Sequence, residues 1–216
     1  MTDLFDGLAD TGPSRESIAD GAVLLRGFAG PIEQELTAAV RDIVARAPFR
    51  RMTTPGGYQM SVAMTNCGER GWITDHTGYR YDAIDPRTDL PWPAMPDVFR
   101  DLARSAAEQG GYQSFAPDAC LINRYEPGTR LSLHQDKDEL DLAAPIVSVS
   151  LGLPAIFLFG GMKRGDKPVR YRLTHGDVVV WGGPSRLAYH GVAPLAEGEH
   201  AALGRQRINL TFRKTR

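Results

Sequence analysis

Leu142 to Met162 reads LAAPIVSVSLGLPAIFLFGGM, 21 residues without a charge. By count alone it is long enough to cross a bilayer, for which about 20 apolar residues suffice. Its composition points elsewhere. Pro154 splits the stretch, Gly152, Gly160 and Gly161 punctuate it, and Ser148 and Ser150 alternate with valines. IVSVSLGL and AIFLF therefore read as two strands around a turn. Working outward, six further runs share that character: ACLINRY, RLSLH, VRYRL, DVVVWG, RLAYHG and RQRINLTFR, spaced by Gly, Pro and Asp turns. Eight short strands over residues 119–213 with no helix among them predict a double-stranded β-helix, or jelly roll. Upstream the pattern changes. Ile32, Leu36, Val40, Ile43 and Val44 fall near helical spacing across Pro31–Arg46, and Val98, Phe99, Leu102 and Ala106 do so across Pro96–Gln109, before Gly110-Gly111. Between the helices, residues 50–96 predict one strand near Tyr58–Thr65 and long ordered loops. The fold class is α+β, mainly β, with N-terminal helices on a jelly-roll core.

A chain of 216 residues suits a single domain, 1–216, with a flexible N-terminus over about residues 1–20. Cys67 and Cys120 stand 53 positions apart without a CxxC partner, which excludes a zinc knuckle or a disulfide framework and suits a reducing cytoplasm. The opening MTDLFDGLADTGPS has neither the basic nor the apolar segment of a secretory signal. The expectation is a cytoplasmic protein with no membrane partner. Net charge is −1, which excludes indiscriminate coating of nucleic acid. That total is a cancellation. Residues 1–150 hold 14 basic and 22 acidic side chains, and residues 151–216 hold 11 basic and 4 acidic.

Five histidines are present, two of them in H-x-D tripeptides: His134-Gln135-Asp136 and His175-Gly176-Asp177. On a strand the first and third residues point the same way, so such a pair can reach one ion, and with a distant second histidine it forms the facial triad of non-haem Fe(II) oxygenases. His175-Gly176-Asp177 precedes VVVWGG with a glycine at its centre and reads as a turn into a strand. His134-Gln135-Asp136 ends the alternating run Leu131-Ser132-Leu133, which sets His134 and Asp136 opposite the leucines. Spacing alone leaves open whether that pair binds metal or meets solvent.

In Arg207-Ile208-Asn209-Leu210-Thr211-Phe212-Arg213 the even positions are apolar and the odd ones polar. The polar row is either a solvated outer face or a place where guanidiniums fork onto a dicarboxylate. Asn123 and Tyr125 make a similar polar side on another strand.

These residues together resemble the AlkB family of Fe(II)/2-oxoglutarate-dependent dioxygenases. The resemblance is carried by Asn123-Arg124-Tyr125, Leu131-Ser132-Leu133-His134-Gln135-Asp136-Lys137-Asp138, His190 in YHG and Arg207 to Arg213, and by MTTPGGY from Met52, SVAMTNCG from Ser61, PWPAMP from Pro91 and Phe159-Gly160-Gly161. It covers about residues 20–213 and departs at Ile208, where the family pattern has Tyr. The resemblance implies a DNA oxidative demethylase with Fe(II), 2-oxoglutarate and O2 as cofactors. His134, Asp136 and His190 would hold the metal, and Asn123, Tyr125, Arg207, Asn209 and Arg213 the 2-oxoglutarate, with Arg207 and Tyr125 on its distal carboxylate and Arg213 at the metal end. Residues 50–95 would form a nucleotide-recognition lid, with Trp72 stacking on the base, Tyr79 and Met64 lining its approach, Asp138 facing a cationic ring and Arg164 near phosphate or the base edge. The implied partner is alkylated DNA bearing 1-methyladenine or 3-methylcytosine, single strands preferred, with RNA as a further substrate and the enzyme a monomer. Fold and triad equally admit a 2-oxoglutarate-dependent hydroxylase of a protein or small molecule, or a metal-free jelly-roll binding module.

Overall fold

The computed structural model describes residues 14–216. Its strands are β1 (Arg15–Ala19), β2 (Ala22–Leu25), β3 (Ala63–Gly68), β4 (Gly71–Asp75), β5 (Gly78–Asp82), β6 (Ile84–Asp85), β7 (Leu90–Pro91), β8 (Ala119–Tyr125), β9 (Leu131–His134), β10 (Ile146–Gly152), β11 (Ala155–Phe159), β12 (Val169–Leu173), β13 (Val178–Trp181), β14 (His190–Val192) and β15 (Arg207–Arg213). Two helices, α1 (Glu33–Arg46) and α2 (Asp97–Gln109), complete it.

Two antiparallel sheets face each other. The larger has the order β1-β2-β13-β10-β15-β8-β3 and the smaller β12-β11-β14-β9. The stretch from Leu142 to Met162 holds β10 and β11, one strand in each sheet, joined through Gly152 at φ +91. Among the described residues no helix is long and apolar enough to cross a membrane.

The alternation of β15 organises the molecule. Ile208, Leu210 and Phe212 enter a core with Leu36, Val40 and Ile43 of α1 and Phe99, Leu102 and Ala106 of α2, so the helices cover the outer face of the larger sheet. Arg207, Asn209, Thr211 and Arg213 therefore point inward, between the sheets, and all four are buried. The solvated-face reading of that row is excluded. Apolar clusters lie on either side of it: Leu24, Ile146, Phe157, Phe159, Val179 and Trp181 on one, and Met52, Val62, Met64, Leu121 and Tyr125 on the other.

Three expectations need correction. The strand placed near Tyr58–Thr65 begins at Ala63, because β3 pairs with β8 from Ala63↔Arg124 onward and β8 ends at Tyr125, leaving earlier residues without a partner strand. The segment expected as long loops contains the hairpin β4–β5, registered Trp72↔Tyr81 and Thr74↔Tyr79. The N-terminus expected to be flexible to about residue 20 is a strand from Arg15 to Ala19, paired with β2, while the rest of that expectation lies outside the described residues. His175-Gly176-Asp177 is the turn that its glycine suggests: Gly176 sits at φ +86 and Asp177 accepts from the amides of Thr174 and Gly27.

Candidate active site

Register across the smaller sheet brings the metal candidates together. Phe159 pairs with His190, and His190 with His134, so the two histidines sit side by side on β14 and β9. Asp136 follows two residues after His134, beyond the end of β9. One ligand atom from each of His134, Asp136 and His190 lies within 4.8 Å of the other two. His134 Nε2 is 3.7 Å from Asp136 Oδ1, and His190 Nε2 is 3.7 Å from Oδ2. Both imidazoles are fixed from behind: His134 Nδ1 lies 2.8 Å from the carbonyl of Ser132, and His190 Nδ1 lies 3.0 Å from that of Ala188. A carbonyl only accepts, so each Nδ1 carries the hydrogen and each Nε2 presents its lone pair to the cluster.

The electrostatics suit a cation. Burial, and then the His134 imidazole, push His190 down to about 4, so it is neutral at ordinary pH. Burial alone would raise the Asp136 carboxyl, but the Arg213 guanidinium and the two imidazoles outweigh it and hold the group well below the usual range. Two neutral nitrogens and an ionised oxygen on one side of a space are the donor set of a 2-His-1-carboxylate Fe(II) centre.

Beside this cluster lies a cavity of about 840 Å³. Its inner wall is the polar row of β15 with Asn123 and Tyr125 of β8. Arg207 is 1% exposed, its Nε donates to Ser150 Oγ at 2.9 Å, its guanidinium lies 5.0 Å from the centre of the Tyr125 ring, and its Nη1 has no protein partner. Asn123 Oδ1 is likewise without a partner. Its Nδ2 lies 3.4 Å from Asn209 Oδ1, a long bond that turning the amide over would exchange for an N–H offered to the cavity. Asn209 differs, because its Nδ2 donates to Ser148 Oγ at 2.8 Å and to the Val149 carbonyl at 2.9 Å. It is at the cavity wall but already engaged. An unpaired buried guanidinium and an unpaired amide beside a metal-type cluster fit a small dicarboxylate that chelates metal at one end.

The cavity mouth is roofed by the hairpin β4–β5. Trp72 and Tyr79 stack with ring centres 5.7 Å apart, and Trp72 Nε1 donates to Asp138 Oδ2 at 3.0 Å. Asn66 clamps the Trp72 backbone, accepting from its N–H and donating to its carbonyl, both at 3.0 Å. Met64 is buried at the cavity wall, and Arg164 lines it from the loop between β11 and β12. Every residue assigned above to the metal, the 2-oxoglutarate or the base lines this one space, and His175 and Asp177 do not. Tyr81, Glu139 and Arg186 were not singled out. Glu139 and Arg186 are buried behind Asp136 with the half-buried Tyr81 bonded to Glu139, and an Asp-Glu pair after an H-x-D tripeptide gives no hint of where the glutamate points.

The model of the 2OG-Fe(II) oxygenase superfamily matches residues 21–213. The alpha-ketoglutarate-dependent dioxygenase AlkB of Escherichia coli (strain K12) is 60% identical over 214 residues, 99% of this chain and 98% of that protein. The chain belongs to the AlkB family. As a member of it, the protein is an Fe(II)- and 2-oxoglutarate-dependent dioxygenase that uses O2. AlkB-type chains retain the fold at lower identity: the solved structure of OsALKBH1 superposes with a TM-score of 0.80 at 28% identity, over 93% of this chain and 100% of that one. A tRNA demethylase, abh1 of Schizosaccharomyces pombe, is 32% identical over 158 residues, 67% of this chain and 52% of that protein.

Proposed function

We propose that this protein removes methyl groups from ring nitrogens of nucleic-acid bases, acting on 1-methyladenine and 3-methylcytosine in DNA, on single strands in preference to duplex, and on RNA as well. One observation carries the reading: the stacked Trp72–Tyr79 pair roofs the cavity that contains the His134, Asp136 and His190 donor set, with Asp138 hydrogen-bonded to the indole. The name of the fission-yeast relative, a tRNA demethylase, is consistent with it.

His134 Nε2, Asp136 and His190 Nε2 would hold Fe(II). Arg207 and Tyr125 would take the distal carboxylate of 2-oxoglutarate, and Asn123 and Arg213 the metal end. Fe(II), with 2-oxoglutarate and O2, supplies the oxidation that places a hydroxyl on the N-methyl carbon while 2-oxoglutarate becomes succinate and carbon dioxide. The hydroxymethyl group then leaves the ring nitrogen as formaldehyde.

The chain's own part is selection and placement. A methyl on the pairing edge leaves the base without its partner and the ring with a positive charge, so extruding it costs less than extruding a normal base. The indole face of Trp72 and the carboxylate of Asp138 both favour a cationic ring. Met64 limits the depth of the pocket and Arg164 meets the strand at its rim. The enzyme on this reading is a monomer working in the cytoplasm, with a site whose groups all come from one chain. Incubating a methylated oligonucleotide with the protein, Fe(II), ascorbate and 2-oxoglutarate should lower its mass by one CH2 per lesion, with one succinate and one formaldehyde released. Turnover of 2-oxoglutarate with the oligonucleotide mass unchanged would overturn the substrate assignment.

A further inference from the structure

Asp136 is held by protein on the same oxygen that lies 3.7 Å from His190 Nε2. Its Oδ2 accepts from Arg213 Nε at 2.9 Å and Nη2 at 2.6 Å. The same Nε lies 3.3 Å from Glu139 Oε1, so one guanidinium edge is shared between two carboxylates. Glu139 Oε2 accepts from Arg186 Nη2 at 3.1 Å, and Arg186 returns to the same loop, its Nη1 donating to the Asp136 carbonyl at 2.7 Å and its Nε to that of Ala144 at 2.9 Å. Two arginines and two carboxylates thus balance in charge, with the side chains of Glu139 and Arg186 only 2% and 4% exposed.

The fifth member comes from the roof. The Tyr81 hydroxyl, on β5, donates to Glu139 Oε1 at 2.5 Å. Tyr81 is the cross-strand partner of Trp72, and Trp72 is bonded to Asp138. Consecutive carboxylates just past Asp136 therefore hold the two members of one cross-strand pair of the hairpin. Asp138 does so in the open and Glu139 out of water, where an unmet acceptor is most expensive.

We propose that Glu139 is a positioning residue for Asp136, acting through Arg213, and that Tyr81 makes this positioning depend on docking of the β4–β5 hairpin. The proposal rests on the assignment of His134, Asp136 and His190 as metal ligands. With Tyr81 docked, Glu139 Oε1 has a strong neutral donor and Arg213 is free to give both Nε and Nη2 to Asp136. When the hairpin lifts, Oε1 is left short of a donor in a buried place and draws the Arg213 Nε toward itself. The hold on Asp136 Oδ2 then falls to Nη2 alone, and the carboxylate is less firmly turned toward the histidines. Linkage makes the effect reciprocal, so metal at the triad strengthens hairpin docking by the same factor by which docking strengthens metal binding.

The test needs neither turnover nor nucleic acid. Metal-free full-length protein is titrated anaerobically with Co(II), and binding is read from its visible absorption. Glu139→Gln should weaken Co(II) binding by about 10–100-fold, the range for partners of metal ligands. Tyr81→Phe should weaken it several-fold while leaving the thermal midpoint of the metal-free protein near wild type. Arg80→Gln, which cuts the Arg80–Asp75 pair at the hairpin's tip and leaves Tyr81 in place, should bind Co(II) as wild type does. Hydrogen exchange gives a second readout: Co(II) should slow the amides of residues 78–82 in wild type and not in Tyr81→Phe. Tyr81→Phe binding Co(II) as tightly as wild type, or wild-type β5 exchanging at the same rate with and without Co(II), would overturn the proposal. Tyr81→Phe removes one hydroxyl, so it carries the test even where Glu139→Gln does not fold. His134→Ala separates this proposal from the ligand assignment, because Co(II) binding at wild-type affinity in that variant overturns the triad itself.

Discussion

Arg207 is a buried cation that faces a cavity with its Nη1 unused, and burial lowers its pKa with only the Tyr125 hydroxyl, and no carboxylate, to offset the loss of water. Such a group is stabilised by an anion that arrives with the cosubstrate. Arg207→Lys keeps the charge and loses the planar fork, so the KM for 2-oxoglutarate should rise about tenfold or more, the equivalent of one charge-assisted hydrogen bond of about 1.5–3 kcal/mol. Co(II) affinity should not change. Succinate release as a function of 2-oxoglutarate concentration measures the first, and an unchanged KM would remove Arg207 from the cosubstrate site. His190 makes a prediction about pH. Its folded pKa of about 4 lies below the unfolded value of 6.5, so the unfolded chain binds the proton first. The metal-free protein is therefore fully stabilised by the neutral ring above about pH 6.5, and loses on the order of 3 kcal/mol as pH falls toward 4. Urea midpoints of metal-free wild type should fall through that window, and those of His190→Gln should fall less. At this scale the sequence was informative where parity fixes direction. Alternation put His134 opposite Leu131 and Leu133, and put Arg207 and Arg213 on one side of β15. It could not say that this side is indoors, because a polar row reads the same whether it meets water or a second sheet.

Strands decide that question, and β14 is the shortest of the smaller sheet. It is three residues long, lies between β9 and β11, and carries His190 next to Gly191. A Cβ on Gly191 would stand 2.7 Å from the Leu131 carbonyl oxygen and 3.2 Å from the Leu133 amide nitrogen, both backbone atoms of β9. Neither can turn aside as a side chain would. Gly191→Ala should push β14 from β9 and part the two histidines that the pairing brings together. The expected outcome is a loss of about 1–3 kcal/mol in stability together with weakened Co(II) binding, read by denaturant titration and by absorption. Co(II) affinity equal to wild type in that variant would show that the histidines do not depend on the pairing. The eight strands of the jelly roll were legible because each packs a row against a core, which writes period two into the sequence. The hairpin β4–β5 has no such row. Trp72 and Tyr79 line the cavity, Tyr81 reaches Glu139, and Thr74 and Ile73 are buried on opposite faces, so no single apolar row marks its strands.

Across the whole molecule the charge division does not make two lobes, since β1, β2, β3 and β8 from the acidic part of the chain share one sheet with β13 and β15 from the basic part. What survives folding is local. Lys163, Arg164, Lys167, Arg170 and Arg172 are exposed and, among the described residues, form no ion pair. The single acid between them, Asp166, is turned back on the Lys163 amide at 3.0 Å. Arg164 is at the cavity rim, while Arg170 and Arg172 lie opposite Leu158 and Ile156 on the edge strand β12, on the face away from Tyr171 and the buried Leu173. Their stems cover part of those apolar side chains, and their heads are free for phosphate. A single strand whose target base enters beneath Trp72 would then leave its neighbouring phosphates over this face. Each phosphate contact contributes about −0.7 to the slope of log affinity against log salt for single strands. Replacing Lys163, Lys167 and Arg170 by Gln together should make that slope shallower by about 2 if all three make contact, measured by fluorescence anisotropy of a methylated oligonucleotide between about 50 and 200 mM salt. The KM for 2-oxoglutarate should stay at the wild-type value, because the three residues lie outside the cavity that contains Arg207. An unchanged slope would place the strand on the other side of the mouth, where Arg51 and Arg130 are exposed near Ser61 and Thr54.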